Sequence, residues 1–176
     1  VMRDSFVPIT HNGSTRYSKI NSAYSRGGPE LAIKTLNTIF GLDISEYATV
    51  NFSGMAEIID AVGGIDVTLN EGEVSAVNSN TNSYYKKLGI DPTPYFVVAG
   101  KEQHLNGMQA VAYSRIRYHS TTSGVSNDYG RTDRQRFVLT QLFNKAKTLD
   151  LESFIKLLKA LSPCCETSVS YGQALD

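Results

Sequence analysis

The sequence predicts an α/β protein, because stretches with helical and with strand-like apolar spacing alternate along it. The apolar residues of Glu30–Phe40 recur at helical spacing, and Tyr47–Phe52 is typical of a buried strand. A helical stretch over about residues 53–62 follows, and the alternation within Ile65–Leu69 indicates a second strand. The order helix, strand, helix, strand is typical of layered folds in which helices cover a mostly buried sheet.

The remaining segments are less regular. Ser5–Thr10 is short, apolar and contains a proline, which is consistent with a strand end that leads into a turn at His11–Thr15. Gly27-Gly28-Pro29 opens the helix of Glu30–Phe40, because proline is tolerated in a first turn. The second half predicts three further helical stretches: the start of Asn106–Arg117, Asp128 to about Leu149, and about Leu151–Leu161. The tail, Ser162–Asp176, shows no periodicity.

A polar insertion interrupts the pattern from Glu71 to about Tyr95. It is rich in Asn and Ser, and it contains Tyr84-Tyr85 and a Pro-Thr-Pro at residues 92–94. Segments of this length and composition are usually loops or mobile subdomains. Two interpretations remain open: a surface excursion without a function, and a lid over a ligand.

The length and composition fit one globular domain, predicted to span residues 1–176. The 17 basic and 17 acidic residues cancel, whereas nucleic-acid-binding domains usually have a basic excess, so nucleic acid is not expected as a partner. No stretch approaches the roughly 20 apolar residues that span a bilayer, and no signal peptide is recognisable. Val1 before Met2 is unlike a natural start, so we expect a domain of a longer protein.

The two cysteines, Cys164 and Cys165, are adjacent. A disulfide between neighbours is strained, because the distance between their Cα atoms falls short of the usual range. Reduced thiols, a bridge from one of them to a cysteine elsewhere, and a strained vicinal bridge all remain open. Two cysteines alone do not fix the redox compartment.

Arginines occur in closely spaced pairs in the second half of the chain. Arg115 and Arg117 are two residues apart and share a face if that stretch is extended. Arg131 and Arg134 are three apart in the first turns of a predicted helix, where free N–H groups also attract anions. Guanidinium groups suit phosphate oxygens, so an anion site is one interpretation; arginines in surface salt bridges are the other.

Short motifs are more specific than this spacing. Along the chain they are Arg3-Asp4-Ser5, Lys19–Pro29, Val50–Gly54, Asp60–Val67, His104–Ala110 running into Tyr113–Arg117, and Asp128–Gln135. Each motif alone is weak evidence. In this order and rough spacing, they resemble the LytR-CpsA-Psr family over about Arg3 to Val138, which is most of the chain.

The resemblance implies an αβα-layered domain with a central mixed sheet flanked by helices. It implies a phosphotransferase that moves a glycopolymer, such as teichoic acid or capsule, from a polyprenyl-pyrophosphate carrier to peptidoglycan or a protein. Family members hold the pyrophosphate in an arginine-rich mouth and the lipid tail in an apolar groove, at the outer face of a Gram-positive-type cell membrane. The family's membrane anchor, its N-terminal strand and a second metal-binding acid are expected to lie outside this chain.

The resemblance also implies roles for individual residues. Asp4 is similar to the Mg²⁺ ligand of the Arg-Asp-Ser motif. Arg3, Arg115 and Arg117 are similar to the catalytic arginines that contact the pyrophosphate, and Asp128 to the acid that leads into a Gly-Arg-x-x-Arg-Gln pattern. The other residues that the resemblance places at the pyrophosphate are Arg26, Arg131, Arg134, Gln135, and Lys19, which is equally suited to orienting its own loop.

The expected reaction is attack by an acceptor hydroxyl on the glycan-side phosphorus, with polyprenyl phosphate leaving. Mg²⁺ and guanidinium groups stabilise the charge that develops, and a carboxylate such as Asp4 or Asp128 is a candidate general base. Two alternatives remain: a pyrophosphatase that uses water on the same lipid, and a non-catalytic binding or regulatory domain. A Ser-His-Asp hydrolase is not expected, because His11, His104 and His119 lack a nucleophile-elbow partner.

Overall fold

The computed structural model of the chain describes residues 3–150, 152–155, 157 and 163–169. Its contacts group the chain into two compact units, Val1–Thr49 with Glu166–Asp176 and Val50–Cys165. In chain order the elements are β1 (Phe6–His11), β2 (Ser14–Lys19), α1 (Ser22–Phe40), β3 (Ala48–Val50), α2 (Phe52–Ala61), β4 (Ile65–Thr68), α3 (Glu71–Lys87), a 3₁₀ turn (Thr93–Tyr95), β5 (Glu102–Leu105), α4 (Gly107–Ser114), α5 (Asn127–Ala146) and β6 (Cys165–Thr167).

In the first unit, β1 and β2 form an antiparallel hairpin in which Phe6 lies opposite Lys19. Its tight turn requires left-handed backbone, which Asn12 (φ 50°) and Gly13 (φ 74°) supply. The register brings Lys19 beside the residues that precede β1, including Asp4. The hairpin and α1 share a small core of Val7, Ile9, Ile20, Ala23 and Leu31.

Helix α1 begins eight residues earlier than the prediction of Glu30, at Ser22, and it is broken inside. Gly28 has φ 64° and ψ −160°, a conformation that glycine adopts without a steric penalty, and Pro29 then restarts the helix. The predicted helix is therefore the second part of α1. The first part carries Arg26 up to the break.

Strand β3 is shorter and more exposed than the buried strand predicted over Tyr47–Phe52. It has three residues, of which Ala48 is exposed and the other two are half-buried. Its partner is β6, a strand within the tail for which the sequence shows no periodicity. The backbone N–H of Ser168 donates to the carbonyl of Tyr47 (3.1 Å) beside this pair, so long-range pairing defines both strands.

In the second unit, helix α4 lies at the centre. It contacts α2, α3, α5 and β5, and most of its eight residues are buried. Strands β4 and β5 pair in antiparallel fashion with Ile65 opposite Leu105, and both of these side chains are inaccessible to solvent. The surrounding core draws apolar side chains from every helix of this unit, among them Ile59, Val77, Val111, Val138 and Leu142.

The polar segment predicted as a loop or mobile subdomain is instead mostly helix, because α3 spans Glu71–Lys87. Asn70 and Glu73 form a capping box, in which each side chain accepts a hydrogen bond from the other's backbone N–H. Glu73, Val77 and Thr81 form one buried stripe at four-residue spacing. Two of these three residues are polar, so an apolar periodicity does not reveal the stripe.

The α/β class predicted from the sequence is confirmed. Within the described ranges, however, the strands pair two by two as β1–β2, β3–β6 and β4–β5, in place of one central mixed sheet. Helices α2, α4 and α5 lie close to their predicted ranges; the helix predicted at about Leu151–Leu161 includes helical residues 152–155 and otherwise falls mostly outside the described residues. No helix in the described part of the chain combines the length and apolarity needed to cross a bilayer.

Candidate functional site

The residues predicted for the site fall into two groups, one in each compact unit. The first unit contains Arg3, Asp4, Lys19 and Arg26. The second contains Arg115, Arg117, Asp128, Arg131, Arg134 and Gln135. Each group has its own carboxylate and its own set of cations.

In the first unit, Asp4 is the centre of the group. Its Oδ1 lies 3.3 Å from Arg3 Nε and 3.4 Å from Lys19 Nζ, and its side chain is 41% exposed. The hydrogen bond from Arg3 lowers the pKa of Asp4, with smaller contributions from the charges of Arg3 and Lys19, against an opposing effect of desolvation. Arg26 Nη2 donates to the hydroxyl of Ser18 (3.3 Å) on the neighbouring strand. Two cations therefore pair with one partly exposed carboxylate, and Arg26 contacts the neighbouring hairpin strand.

In the second unit, Asp128 is the carboxylate with which the arginines pair. Its Oδ1 lies 3.2 Å from Arg131 Nη2 and 3.6 Å from Arg117 Nε. The side chain of Arg131 is 15% exposed, and its buried Nε has no hydrogen-bond partner among the described residues. A buried N–H without an acceptor costs free energy, and the pair with Asp128 helps to offset that cost.

The sequence predicts that Arg131 and Arg134 lie in the first turns of α5, near its free N–H groups, but both lie further along the helix. The helix begins at Asn127, which makes Arg131 its fifth residue and Arg134 its eighth. Free backbone N–H groups occur only over the first four residues, so the helix end does not assist these two side chains. The first turn holds Asp128, the kind of residue that a helix N-terminus favours, and Gln135 is exposed.

Arg134 points into the protein rather than toward solvent. Its side chain is 0% exposed, and its Nε lies 2.9 Å from Glu73 Oε1. Nη1 donates to the carbonyl of Ile116 (3.2 Å) and Nη2 to the carbonyl of His119 (2.8 Å). Internal acceptors thus occupy all three nitrogens, and this placement does not support a direct pyrophosphate contact by Arg134.

Arg115 and Arg117 are brought together, but not by an extended backbone. Arg115 caps the end of α4 with φ −100° and ψ −5°, which is helical rather than extended. Both arginines nevertheless line one cleft of about 250 Å³, together with Asn80 and His119. This polar cleft is open enough to admit a charged group.

A second cleft of about 590 Å³ lies between α2, α3 and α4, and Arg115 lines it too. The guanidinium carbon of Arg115 stands 4.2 Å from the centre of the Phe52 ring, a favourable cation–π distance. Glu57 and Asp60 also contribute to the wall. Most of the lining is apolar or aromatic: Phe52, Ala56, Tyr84, Tyr85, Leu88, Met108 and Val111.

The described residues do not build a Mg²⁺ site by themselves. No group of three or more His, Cys, Asp or Glu side chains suited to a metal occurs among them. Asp4 supplies a single carboxylate, which already pairs with two cations. Mg²⁺ at Asp4 would depend on pyrophosphate oxygens for its remaining ligands, a mode of binding that this ion uses in phosphate-transferring enzymes.

Two residues of this region were not predicted from the sequence. Phe52 supports Arg115, and its aromatic type alone gives no signal for that role. Glu73 holds Arg134, and a local signal was available, because Asn70-x-x-Glu73 has the form of a capping box. The pattern predicts the helix start. It does not predict the ion pair.

Comparison with known proteins agrees with the motifs. The chain matches the LytR_cpsA_psr family over residues 1–176. It is 30% identical over 178 residues to the polyisoprenyl-teichoic acid–peptidoglycan teichoic acid transferase TagV of Bacillus subtilis (strain 168), covering 99% of this chain and 41% of TagV. It is 33% identical over 170 residues to TagU, named as the same kind of transferase, of Enterococcus faecalis (strain ATCC 700802 / V583), covering 96% of this chain and 48% of TagU.

The solved structures show the same relationship in three dimensions. The crystal structure of B. subtilis TagV superimposes with a TM-score of 0.68 at 27% identity, covering 98% of this chain and 60% of that chain. The chain thus spans less than half the length of the two transferases. Because the family match extends over the entire sequence, the chain belongs to the LytR-CpsA-Psr family.

Proposed function

We propose that the protein transfers a glycopolymer from a polyprenyl-pyrophosphate carrier to an acceptor hydroxyl of the cell wall. The names of TagV and TagU, which specify a polyisoprenyl-linked teichoic acid donor and a peptidoglycan acceptor, support this choice of substrates. A protein hydroxyl as the acceptor, or a capsular polymer as the transferred glycan, would take part in the same phosphoryl-transfer chemistry. The proposed place of action is the outer face of the cell membrane, where such a lipid-linked donor meets the wall.

The observation that carries the proposal is the position of Arg115 between two unlike clefts. One cleft is polar and shared with Arg117, and the other is larger and mainly apolar. A lipid pyrophosphate has a doubly charged head joined directly to an apolar chain. A guanidinium group at the junction of an apolar and a polar cleft fits that combination, because it can bind the phosphates while the chain is removed from water.

The reaction requires one bond to form and one to break at the same phosphorus. The acceptor oxygen attacks the glycan-side phosphorus, the bond from that phosphorus to the bridging oxygen breaks, and polyprenyl phosphate leaves with the electron pair. Arg115 and Arg117 stabilise the negative charge that accumulates on the phosphate oxygens. Arg131, which shares Asp128 with Arg117, supplies a third guanidinium group in the same unit.

The acceptor's proton must pass to a base, and we assign this role to Asp128, the carboxylate beside Arg117 and Arg131. The pKa of Asp4 is held below its usual value by Arg3, which makes this carboxylate a weak base. We therefore assign Asp4 to metal binding. Mg²⁺ held by Asp4 together with phosphate oxygens would neutralise part of their charge.

The test measures transfer by the intact protein with a polyprenyl-pyrophosphate-linked glycan and peptidoglycan, and it identifies the products. Arg115→Ala and Arg117→Ala are each expected to lower the rate at least about 100-fold, since a donor to a developing charge is typically worth that much. Arg136→Ala, an exposed arginine on the same helix as Arg131, is the matched control and should retain the parent rate.

The products distinguish the alternatives. A glycan–peptidoglycan conjugate supports transfer, whereas free glycan phosphate as the sole product identifies a pyrophosphatase. Binding of the lipid without turnover identifies a non-catalytic domain. Parent rates in both the Arg115 and the Arg117 variant, with unchanged folding by circular dichroism, would show that the guanidinium groups at this cleft do not carry the reaction.

A further inference from the structure

Among the described residues of the second unit, the most buried charged groups are Arg134 and Glu73. Their side chains are both 0% exposed, and a 2.9 Å contact joins Arg134 Nε to Glu73 Oε1. Charged side chains are rarely buried so completely, because removing a charge from water is costly unless the partner and the hydrogen bonds compensate. Such a pair is therefore expected to fix the position of the chain segments that it contacts.

The chain segment held by Arg134 is the one that carries Arg117. The guanidinium donates to the carbonyl of Ile116 immediately before Arg117 and to the carbonyl of His119 two residues after it. Its carbon also lies 5.8 Å from the ring centre of Tyr113, within the last turn of α4. One rigid, planar group thus fixes the backbone on both sides of Arg117, just beyond the cap residue Arg115.

Glu73 extends this support to the start of α3. Its Oε2 accepts a hydrogen bond from the backbone N–H of Asn70 (3.1 Å) and another from the hydroxyl of Thr122 (3.3 Å). The side chain of Asn70 donates to the carbonyl of Ser120 (2.9 Å). Residues 116–122 are therefore attached to α3 and α5 at several points.

The His119 side chain packs against the start of α3. A Cβ atom added at Gly72 would lie 2.8 Å from His119 Nδ1, so the loop rests directly on the first turn of α3. Arg117 itself contacts Asp128 with a longer Nε–Oδ1 distance of 3.6 Å and a 35% exposed side chain. The backbone of this loop is thus held more firmly than the arginine side chain that it presents.

We propose that Glu73 and Arg134 are positioning residues, which set the backbone of residues 116–119 so that Arg115 and Arg117 meet the pyrophosphate together. This inference rests on the proposed transfer function for its effect on rate. It assigns Arg134 a role through the main chain instead of a contact with substrate, and it adds Glu73 to the residues on which the reaction depends.

The experiment separates positioning from stability. Arg134→Met alone leaves the Glu73 carboxylate buried without its cation, so this variant is expected to be destabilised or unfolded. The double variant Glu73→Gln, Arg134→Met contains no buried charge, and its Gln retains a capping bond to Asn70. Replacing a buried ion pair in this way is often neutral for stability. Arg136→Met, the same change at an exposed site of α5, is the matched control.

Three readouts are needed in the intact protein: the urea midpoint, hydrogen exchange of the amides of residues 116–122, and kcat and KM for transfer. Positioning predicts a double variant that folds, exchanges these amides at least about tenfold faster, and loses about 100-fold in kcat, as small misplacements of catalytic groups do. The Arg136→Met control should match the parent in all three.

The outcomes are decisive in either direction. A double variant with the parent's kcat and parent-like exchange at residues 116–122 overturns the proposal, as does a loss of kcat without faster exchange there. Hydrogen exchange needs no substrate, so it tests the support of the loop even if the parent protein shows no transfer. If the double variant does not fold, Arg134→Lys, which keeps the charge but loses the planar fork, takes its place with the same expectations.

Discussion

Gly107→Ala tests the packing of the helix that carries Arg115. Gly107 is the first residue of α4, and a Cβ atom there would lie 1.9 Å from the carbonyl oxygen of Ala56 in α2 and 2.6 Å from its carbonyl carbon. Carbon–oxygen contacts in proteins lie at roughly 3.3 Å or more. The two helices would have to separate by about 1.4 Å at this point, because backbone atoms cannot rotate away as a side chain can.

The expected cost has two parts. Forcing extra volume into a packed interface costs about 1–3 kcal/mol. The separation also weakens the 2.7 Å hydrogen bond from the Gly107 N–H to Asp60 Oδ1, and a bond to a charged group contributes about 1.5–3 kcal/mol. A total of about 3–5 kcal/mol is a large share of the 5–15 kcal/mol that stabilises a typical domain.

Urea denaturation followed by circular dichroism measures this loss. With a slope of about 2 kcal/mol per M, the midpoint should fall by about 2 M. Gly72→Ala is the comparison, because its added Cβ meets the His119 side chain at 2.8 Å, and a side chain can move. It should lose distinctly less stability than Gly107→Ala.

The sign of the change makes the test strict. At an unobstructed site, glycine to alanine stabilises a protein by about 0.4–1 kcal/mol, since it restricts the unfolded chain. A Gly107→Ala midpoint equal to or above that of the parent would refute the close contact between α2 and α4. The arrangement of both clefts around Arg115 would then need revision.

Two further predictions concern carboxylates. The hydrogen bond with His104, and after it Lys145, lower the pKa of Asp66. Because the folded pKa lies below the ordinary value of 3.8, the ionised Asp66 stabilises the fold above that pH. This stabilisation is lost as the pH falls through the folded pKa. Asp66→Asn should therefore flatten the decline of the urea midpoint in acid, and an unchanged decline would contradict the role of this pair. For Asp4, chelation of Mg²⁺ should abolish transfer, and added Mg²⁺ should restore it. Asp4→Asn should raise the Mg²⁺ concentration that gives the half-maximal rate. A transfer rate independent of Mg²⁺ in both proteins would remove the metal from the proposal.

The segment of residues 71–95 shows where apolar periodicity fails as a guide. Helix α3 buries Glu73 and Thr81 on the same stripe as Val77, so polarity conceals the face that packs. The burial of Glu73 depends on Arg134, which lies 61 residues further along the chain. A pattern read over a few turns cannot include such a partner. The capping box, by contrast, is local and could have been read.

The arginines show a similar division. Motif order identified the predicted site residues, yet their surroundings differ widely. Arg117 is partly exposed beside Asp128, Arg131 is mostly buried with one unpaired nitrogen among the described residues, and Arg134 is enclosed by internal acceptors. Whether a guanidinium group faces solvent or a carbonyl depends on neighbouring elements, which the motif does not contain.

The sequence by itself determined the family, the α/β class and the approximate ranges of α2, α4 and α5, because motif order and helical periodicity are properties of neighbouring residues. Only the tertiary structure decided that the predicted site residues divide between two units, that β3 pairs with β6, and that Arg134 binds Glu73 instead of facing solvent. These outcomes depend on contacts between residues far apart in the chain. Burial and electrostatic pairing arise from such contacts, and local spacing does not encode them.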